Sequence, residues 1–259
     1  MSDLLDIAHQ LADLARPIAL KYFRHESLAV EHKDDATPVT VADKEIEHEM
    51  RKLLARVRPA DGVFGEEEGQ SNPDAEYQWI LDPIDGTKAF TVGRPNFGTL
   101  IALHHKKRGI VLGVCDIPPT KDRWWAVKGE DSFWNGRTIT TRKTKSIGDA
   151  IFSSTDPLRV PEPIFKLIKA VKDRAKIAVY GGDCLNFGLL AGGFIDILID
   201  GRQQLYDVAP FVPLIENAGG RITQFSGAPI GFNMDDRVLA CSTPELHEEV
   251  LALYREINA

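Results

Sequence analysis

The stretch Trp79-Ile80-Leu81-Asp82-Pro83-Ile84-Asp85-Gly86-Thr87-Lys88 organises the chain. Its first half, from Gln78 to Leu81, has the apolar character of a buried strand. The strand is expected to break at Asp82-Pro83, because proline has no amide donor and biases its predecessor away from helix. Two carboxylates three positions apart follow, then Gly86-Thr87-Lys88, where Gly86 permits a tight backbone path and Lys88 adds a positive charge. Asp-Pro and Asp-Gly are also ordinary turn dipeptides. At a strand end, however, two acids beside a Gly-Thr-Lys turn suit a hard cation held against a phosphate. Mg²⁺ takes carboxylate, carbonyl and phosphate oxygens and shares its sphere between protein and substrate.

Composition narrows the setting. The chain has 259 residues, enough for one large or two small domains with a real core. A hydrophobic content of 43% with 27% charged residues is that of a soluble globular protein. The net charge of -7 argues against nucleic acid as a partner. It leaves room for a small phosphorylated substrate, since a bound divalent cation inverts the sign of a local acidic site. Cys115, Cys184 and Cys241 lie far apart, with no Cys-x-x-Cys, as reduced thiols of a cytoplasmic protein would. The N-terminus reads as an acidic amphipathic helix without the basic region of a signal peptide. No apolar run approaches the length of about 18 residues expected of a membrane span.

Leu4, Ile7, Ala8, Leu11, Leu14, Ala15, Ile18 and Tyr22 recur at helical spacing, with Pro17 within the stripe and Ser2 as N-cap. Leu28, Val30 and His32 alternate like a short strand, and residues 33–38 read as a loop. A second helix is predicted over Ala42 to Val57, with Asp43 in its first turn, where a negative charge is favoured. Gly62 to Gly65 is a short strand ending at Glu66-Glu67-Glu68. Paired strands follow at Phe97 to His105 and Gly109 to Ile117, then Arg123 to Val127 and a turn at Asn135-Gly136. From Ala150 strands and helices alternate: strands at Ile151, Ile177, Phe194, Arg221 and Val238, and helices around Ile164, from Cys184, from Asp207 to Asn217, and after Pro244.

Taken together, Gly65-Glu66-Glu67, the Asp82-Pro83-Ile84-Asp85-Gly86-Thr87 core, Asp207-Val208-Ala209 and Glu216-Asn217-Ala218-Gly219-Gly220 resemble the inositol monophosphatase superfamily of Mg²⁺-dependent phosphatases. The resemblance covers nearly the whole chain. It implies an α+β and α/β fold, the layered α-β-α-β-α sandwich of the inositol monophosphatase and fructose-1,6-bisphosphatase type. Residues 1–150 would form an α+β domain with a large antiparallel sheet, and residues 151–259 a smaller α/β domain supplying Asp207. It also implies that Glu66, Asp82 and the carbonyl of Ile84 hold one Mg²⁺, and that Asp82, Asp85 and Asp207 hold a second. Asp43 and Thr87, hydrogen-bonded to each other, would activate the attacking water, with Glu66 also in the catalytic set. The amides of Gly86 and Thr87 would cradle the phosphate, with Lys88 in attendance. Members of the family commonly carry an aspartate where Thr37 stands, so a third, weakly bound Mg²⁺ is left open here, with Asp34 and Asp35 nearby but displaced.

Within the superfamily, Tyr180-Gly181-Gly182-Asp183-Cys184, Thr37-Pro38-Val39-Thr40-Val41-Ala42-Asp43 and the segment from Gly93 to Leu103 look like the histidinol-phosphatase branch. L-Histidinol phosphate carries an ammonium and an imidazole, so an acid suits it as a reader through charge-assisted hydrogen bonds. Asp183 is the candidate reader, with Gly182 beside it, although a helix N-cap is its other reading. Asp200 matches a substrate-binding acid of the family, and Asp207 and Asp85 would face the same substrate. Asp196 is expected to be structural. The branch implies a cytoplasmic homodimer in histidine biosynthesis. The alternatives are an inositol-1-monophosphatase, a 3′-phosphoadenosine 5′-phosphate phosphatase, or a non-catalytic Mg²⁺-binding protein on the same fold.

Overall fold

The computed structural model describes residues 1–25, 30–32 and 38–258. Leu28, the loop of residues 33–37 with Asp34 and Asp35, and the departure at Thr37 lie outside the described residues. The apolar stripe of the N-terminus forms helix α1 (Ser2–Tyr22), which runs on past Pro17 and buries Leu4, Ala8, Leu11, Ala12, Ala15 and Ala19. Met1, not Ser2, holds the N-cap position. The short strands β1 (Val30–His32) and β2 (Pro38–Thr40) pair antiparallel. Helix α2 (Val41–Val57) then starts from Thr40, whose side chain accepts from Ala42 N, and buries Ile46, Met50, Leu53 and Leu54.

The next strands are β3 (Gly62–Gly65), β4 (Gly69–Ser71) and β5 (Tyr77–Asp85), followed by the single-turn helix α3 (Thr87–Thr91). Strands β6 (Gly98–His105), β7 (Gly109–Ile117), β8 (Asp122–Val127), β9 (Ser132–Trp134) and β10 (Arg137–Ile139) complete an eight-stranded sheet in the order β10-β9-β8-β7-β6-β5-β3-β4. Among the described residues, only β3 and β5 pair parallel in it. Contrary to the expected break, β5 continues through Asp82-Pro83 to Asp85. A register shift against β6 between Asp82 and Asp85 absorbs the proline, which has no amide to give to the ladder. The Pro83 carbonyl is taken by Thr99 Oγ1 at 2.8 Å.

The second half supplies β11 (Ile151–Ser154), α4 (Glu162–Arg174), β12 (Ile177–Tyr180), α5 (Cys184–Ala191) and β13 (Ile197–Gly201). Where one helix was expected from Asp207, two short ones form, α6 (Leu205–Val208) and α7 (Phe211–Asn217), separated at Ala209-Pro210. Strands β14 (Arg221–Gln224) and β15 (Arg237–Cys241) and helix α8 (Pro244–Ile257) close the chain. The five-stranded sheet runs β12-β11-β13-β15-β14, parallel across β12, β11 and β13 and antiparallel beyond.

Packing arranges these elements in five layers. α1 and α2 cover the outer face of the large sheet through β5, β6 and β7. α5 and α7 lie between the sheets, touching β7 and β8 on one side and β13 and β14 on the other. α4 and α8 cover the far face of the small sheet. The middle core joins Leu100, Cys115 and Trp124 of the large sheet to Phe187, Phe211 and Leu214 of the helices and to Leu198 and Ala240 of the small sheet. The α-β-α-β-α sandwich brings the C-terminal end of β5 against α5 and α6, and the acids of both halves of the chain meet there.

Candidate active site

The shift that absorbs Pro83 also decides where the acids point. Asp82 stays in the buried part of β5 at 1% exposure, while Asp85 emerges at the strand end. Gly86 then turns the chain at φ 82° into α3. The left-handed backbone favours glycine there, and the space is tight, since a Cβ would meet Asn96 O at 3.2 Å and Asp183 Cγ at 3.3 Å. The Thr87 hydroxyl closes the turn, donating to Ile84 O at 3.0 Å.

Asp207 arrives from α6, where its Oδ2 accepts from Gln204 N at 2.7 Å. One oxygen each from Asp82, Asp85 and Asp207 lie within 4.8 Å of one another. Buried Asp82 Oδ1 has no hydrogen-bond partner. All three carboxyls are pushed upward, chiefly by burial. For Asp82 the charges of Glu66, Asp85 and Asp207 add to that effect, and for Asp207 those of Asp85 and Glu66. Three crowded acids with an orphaned buried oxygen are unfavourable alone and become favourable around a hard dication, so the donor set fits Mg²⁺.

Glu66 stands outside that trio but lines the same cleft. Sequence reasoning missed what holds its loop. Glu47, fully buried on α2, accepts from Glu67 N at 2.8 Å and Glu68 N at 3.0 Å. Arg51 clamps the same carboxylate and also donates to Gly69 O. The signal was an acid beside Ile46 on the buried face of α2.

Asp43 is fully buried, and its Oδ2 accepts from the amide and hydroxyl of Thr40 at 2.9 and 2.5 Å. The expected Thr87–Asp43 hydrogen bond is absent among the described residues: Thr40 occupies one oxygen and the other, Oδ1, has no partner. Burial pushes the Asp43 carboxyl up to about 7, against the two Thr40 hydrogen bonds.

A cleft of about 460 Å³ opens over the acids. Glu66, Asp85, Gly86, Thr87, Lys88, Asp183, Asp200 and Asp207 line it, as do Arg159, Arg202 and Tyr206, which the sequence did not single out. Asp82 and Ile84 are buried and do not line it. Gly182 is not in the lining; at φ 120° it packs against Asn186, whose Oδ1 a Cβ would meet at 2.3 Å. Asp200 is nearly spent, accepting from Ser154 Oγ, Thr155 N and Thr155 Oγ1. Asp196 is structural, taking Ile151 N and Ser242 Oγ. Asp183 makes no helix cap, and Asn96 Nδ2 donates to its Oδ2 at 2.8 Å. Burial, then the charge of Asp85, raises its carboxyl to about 7, while Lys88 opposes the shift.

The sequence model of the inositol monophosphatase family matches residues 1–259. The chain belongs to the inositol monophosphatase family. This inositol monophosphatase relative is 34% identical over 265 residues to a histidinol-phosphatase of Streptomyces coelicolor, covering 97% of each chain. It is 37% identical over 254 residues to a chloroplastic bifunctional phosphatase, IMPL2, of Arabidopsis thaliana, covering 95% of this chain and 73% of that one. The solved inositol monophosphatase of Zymomonas mobilis superposes with a TM-score of 0.89 at 37% identity, covering 98% of both chains. The family resemblance carried by the Asp82–Thr87 core is thus borne out, as is the layered fold.

Proposed function

We propose that the protein is a Mg²⁺-dependent phosphomonoesterase whose substrate is L-histidinol phosphate. The observation that carries the substrate reading is Asp183, an acid turned into the cleft beside the Gly86 turn and held by Asn96. Histidinol-phosphatases among the relatives, from Streptomyces coelicolor and Mycobacterium tuberculosis at 34% identity, support it. The Zymomonas mobilis structure and a Caulobacter vibrioides inositol-1-monophosphatase at 30% identity favour inositol 1-phosphate as the second reading.

In this reading Glu66, Asp82 and the Ile84 carbonyl would hold one Mg²⁺, and Asp82, Asp85 and Asp207 would hold the other. When bound, Mg²⁺ supplies charge neutralisation for the phosphoryl oxygens and lowers the pKa of the attacking water. The amides of Gly86 and Thr87 orient the phosphate, so that catalysis rests on positioning and charge. The Thr87 hydroxyl orients the water. Asp43, outside the cleft lining but with a free buried oxygen, would accept its proton by way of a Thr87 hydroxyl turned from Ile84 O toward it. Lys88 screens the acids at the rim, and Asp183 pairs with the substrate ammonium.

The three buried free thiols support a reducing, cytoplasmic setting. No helix among the described residues is long and apolar enough to cross a membrane. Edge strand β12 exposes Ile177, Val179 and Tyr180, which supports a homodimer; a monomeric mass by light scattering would contradict that.

The substrate test is Asp183→Asn, which keeps the shape and removes the charge. A hydrogen bond to a charged group is worth about 1.5–3 kcal/mol, so kcat/KM for L-histidinol phosphate falls about tenfold or more. Hydrolysis of glycerol 2-phosphate falls much less. Equal loss on both substrates returns the question to inositol 1-phosphate.

A further inference from the structure

Asp183 occupies the residue before α5 without capping it. The first amide of α5, Cys184 N, donates to Asp85 Oδ2 at 2.7 Å, so a side chain from the end of β5 serves as the cap. Asp183 is thereby released from the role its position suggests. Its backbone sits at φ 46°, ψ -137°, a region costly for a residue with a Cβ, after Gly181 and Gly182 at φ 81° and 120°. Such strain persists only where the surroundings fix it, and here it turns the carboxylate away from its own helix.

One hydrogen bond holds the carboxylate. Asn96 Nδ2 donates to Oδ2, and no hydrogen bond within the described chain engages Oδ1. The carboxyl carbon lies 3.3 Å from where a Gly86 Cβ would stand, so the acid rests directly on the turn assigned to the phosphate. A cation that reaches both must sit close to the ester oxygen.

We propose that the cleft selects phosphate monoesters bearing an ammonium on the carbon next to the ester carbon, and that Asn96 is the positioning residue that aims Asp183 at it. This rests on the phosphomonoesterase reading and on Asp183 as the reader. It widens the substrate from one compound to a class, the β-amino phosphates, of which L-histidinol phosphate is one member. A longer spacer carries the ammonium past the carboxylate, and a neutral alkyl chain leaves the carboxylate unpaired.

The test measures kcat/KM of the Mg²⁺-loaded enzyme for 2-aminoethyl, 3-aminopropyl and ethyl phosphate, with L-histidinol phosphate alongside. Wild type is expected to favour 2-aminoethyl over ethyl phosphate by about tenfold, with 3-aminopropyl phosphate near ethyl phosphate. Asn96→Ala, and Asn96→Leu as a variant that keeps the space filled, reduce the 2-aminoethyl to ethyl ratio about fivefold, through KM rather than kcat. In an Asp183→Asn background the same changes alter the ratio no further, because the residues act as one unit. Equal turnover of the two amino phosphates overturns the spacing claim. Equal losses on amino and ethyl phosphates with a lower Tm, or no change in the ratio, overturn the role of Asn96. Good turnover of L-histidinol phosphate without preference for 2-aminoethyl phosphate overturns the class while sparing the substrate reading; no turnover of L-histidinol phosphate overturns that reading itself.

Discussion

Asp43→Asn tests whether the site stores electrostatic cost in a single residue. Asp43 is fully buried, and its carboxyl moves from 3.8 to about 7, mainly through desolvation, with Glu67 and Glu66 adding to the effect. A folded pKa above the unfolded one contributes stability that is intact below the unfolded value and is lost as pH rises through the folded value. At about 1.36 kcal/mol per pH unit, the loss is about 2 kcal/mol at pH 5 and about 4 kcal/mol at pH 8. Asparagine cannot ionise, so the variant lacks this loss. It adds a fixed cost, because its amide replaces an oxygen that already has no partner, and burying an unsatisfied group costs about 1–3 kcal/mol. That cost does not depend on pH, so the informative quantity is the change in the gap between variant and wild type. The gap moves by about 2 kcal/mol in favour of the variant from pH 5 to pH 8, or about 4–8 °C in Tm at about 2–4 °C per kcal/mol. Thermal melts in EDTA, with no metal to compensate the acids, measure it directly. A gap independent of pH would mean that Asp43 is ionised throughout and serves as a helix cap alone.

Three further outcomes follow from the same contacts. Thr87→Ala lowers kcat by about 10²-fold with a smaller change in KM, read by steady-state phosphate release; a raised KM with kcat preserved would make Thr87 a binding residue. Glu47→Ala strips the amides of Glu67 and Glu68 of their acceptor, and calorimetric Mg²⁺ affinity falls about 10–100-fold, as loss of a supporting group typically causes. Glu47→Gln keeps one acceptor oxygen and falls less; equal affinity in all three proteins would detach the Glu66 loop from the metal site. Asp82→Asn loses more Mg²⁺-dependent activity than Asp207→Asn, since Asp82 is the ligand assigned to both ions, and the reverse order would remove it from the bridge.

Much of this was legible in residues that do one thing. The apolar stripes of α1 and α2 and the strands β3, β7 and β12 follow period and turn signals, and the structure keeps those boundaries closely. The Asp82–Thr87 core marked the trio with Asp207. Partner choice was harder to read. β5 outlasts its proline because a register shift against β6, a residue-distant strand, accepts it. Thr87 turns to Ile84 O instead of Asp43, while Thr40 takes one oxygen of the Asp43 carboxylate and leaves the other without a partner. Asp85 caps α5 in place of Asp183, a substitution that depends on two halves of the chain packing together. Glu47 belongs to no motif, and Asn96 lies in the Gly93–Leu103 segment without a role assigned to it there; both roles exist only in the contacts they make.

The most direct test is phosphate release by the wild-type protein from L-histidinol phosphate, inositol 1-phosphate and 3′-phosphoadenosine 5′-phosphate, each with Mg²⁺ and with EDTA. The account predicts the highest kcat/KM on L-histidinol phosphate, abolished by EDTA and restored by Mg²⁺. Full activity in EDTA, or preference for inositol 1-phosphate, would contradict it.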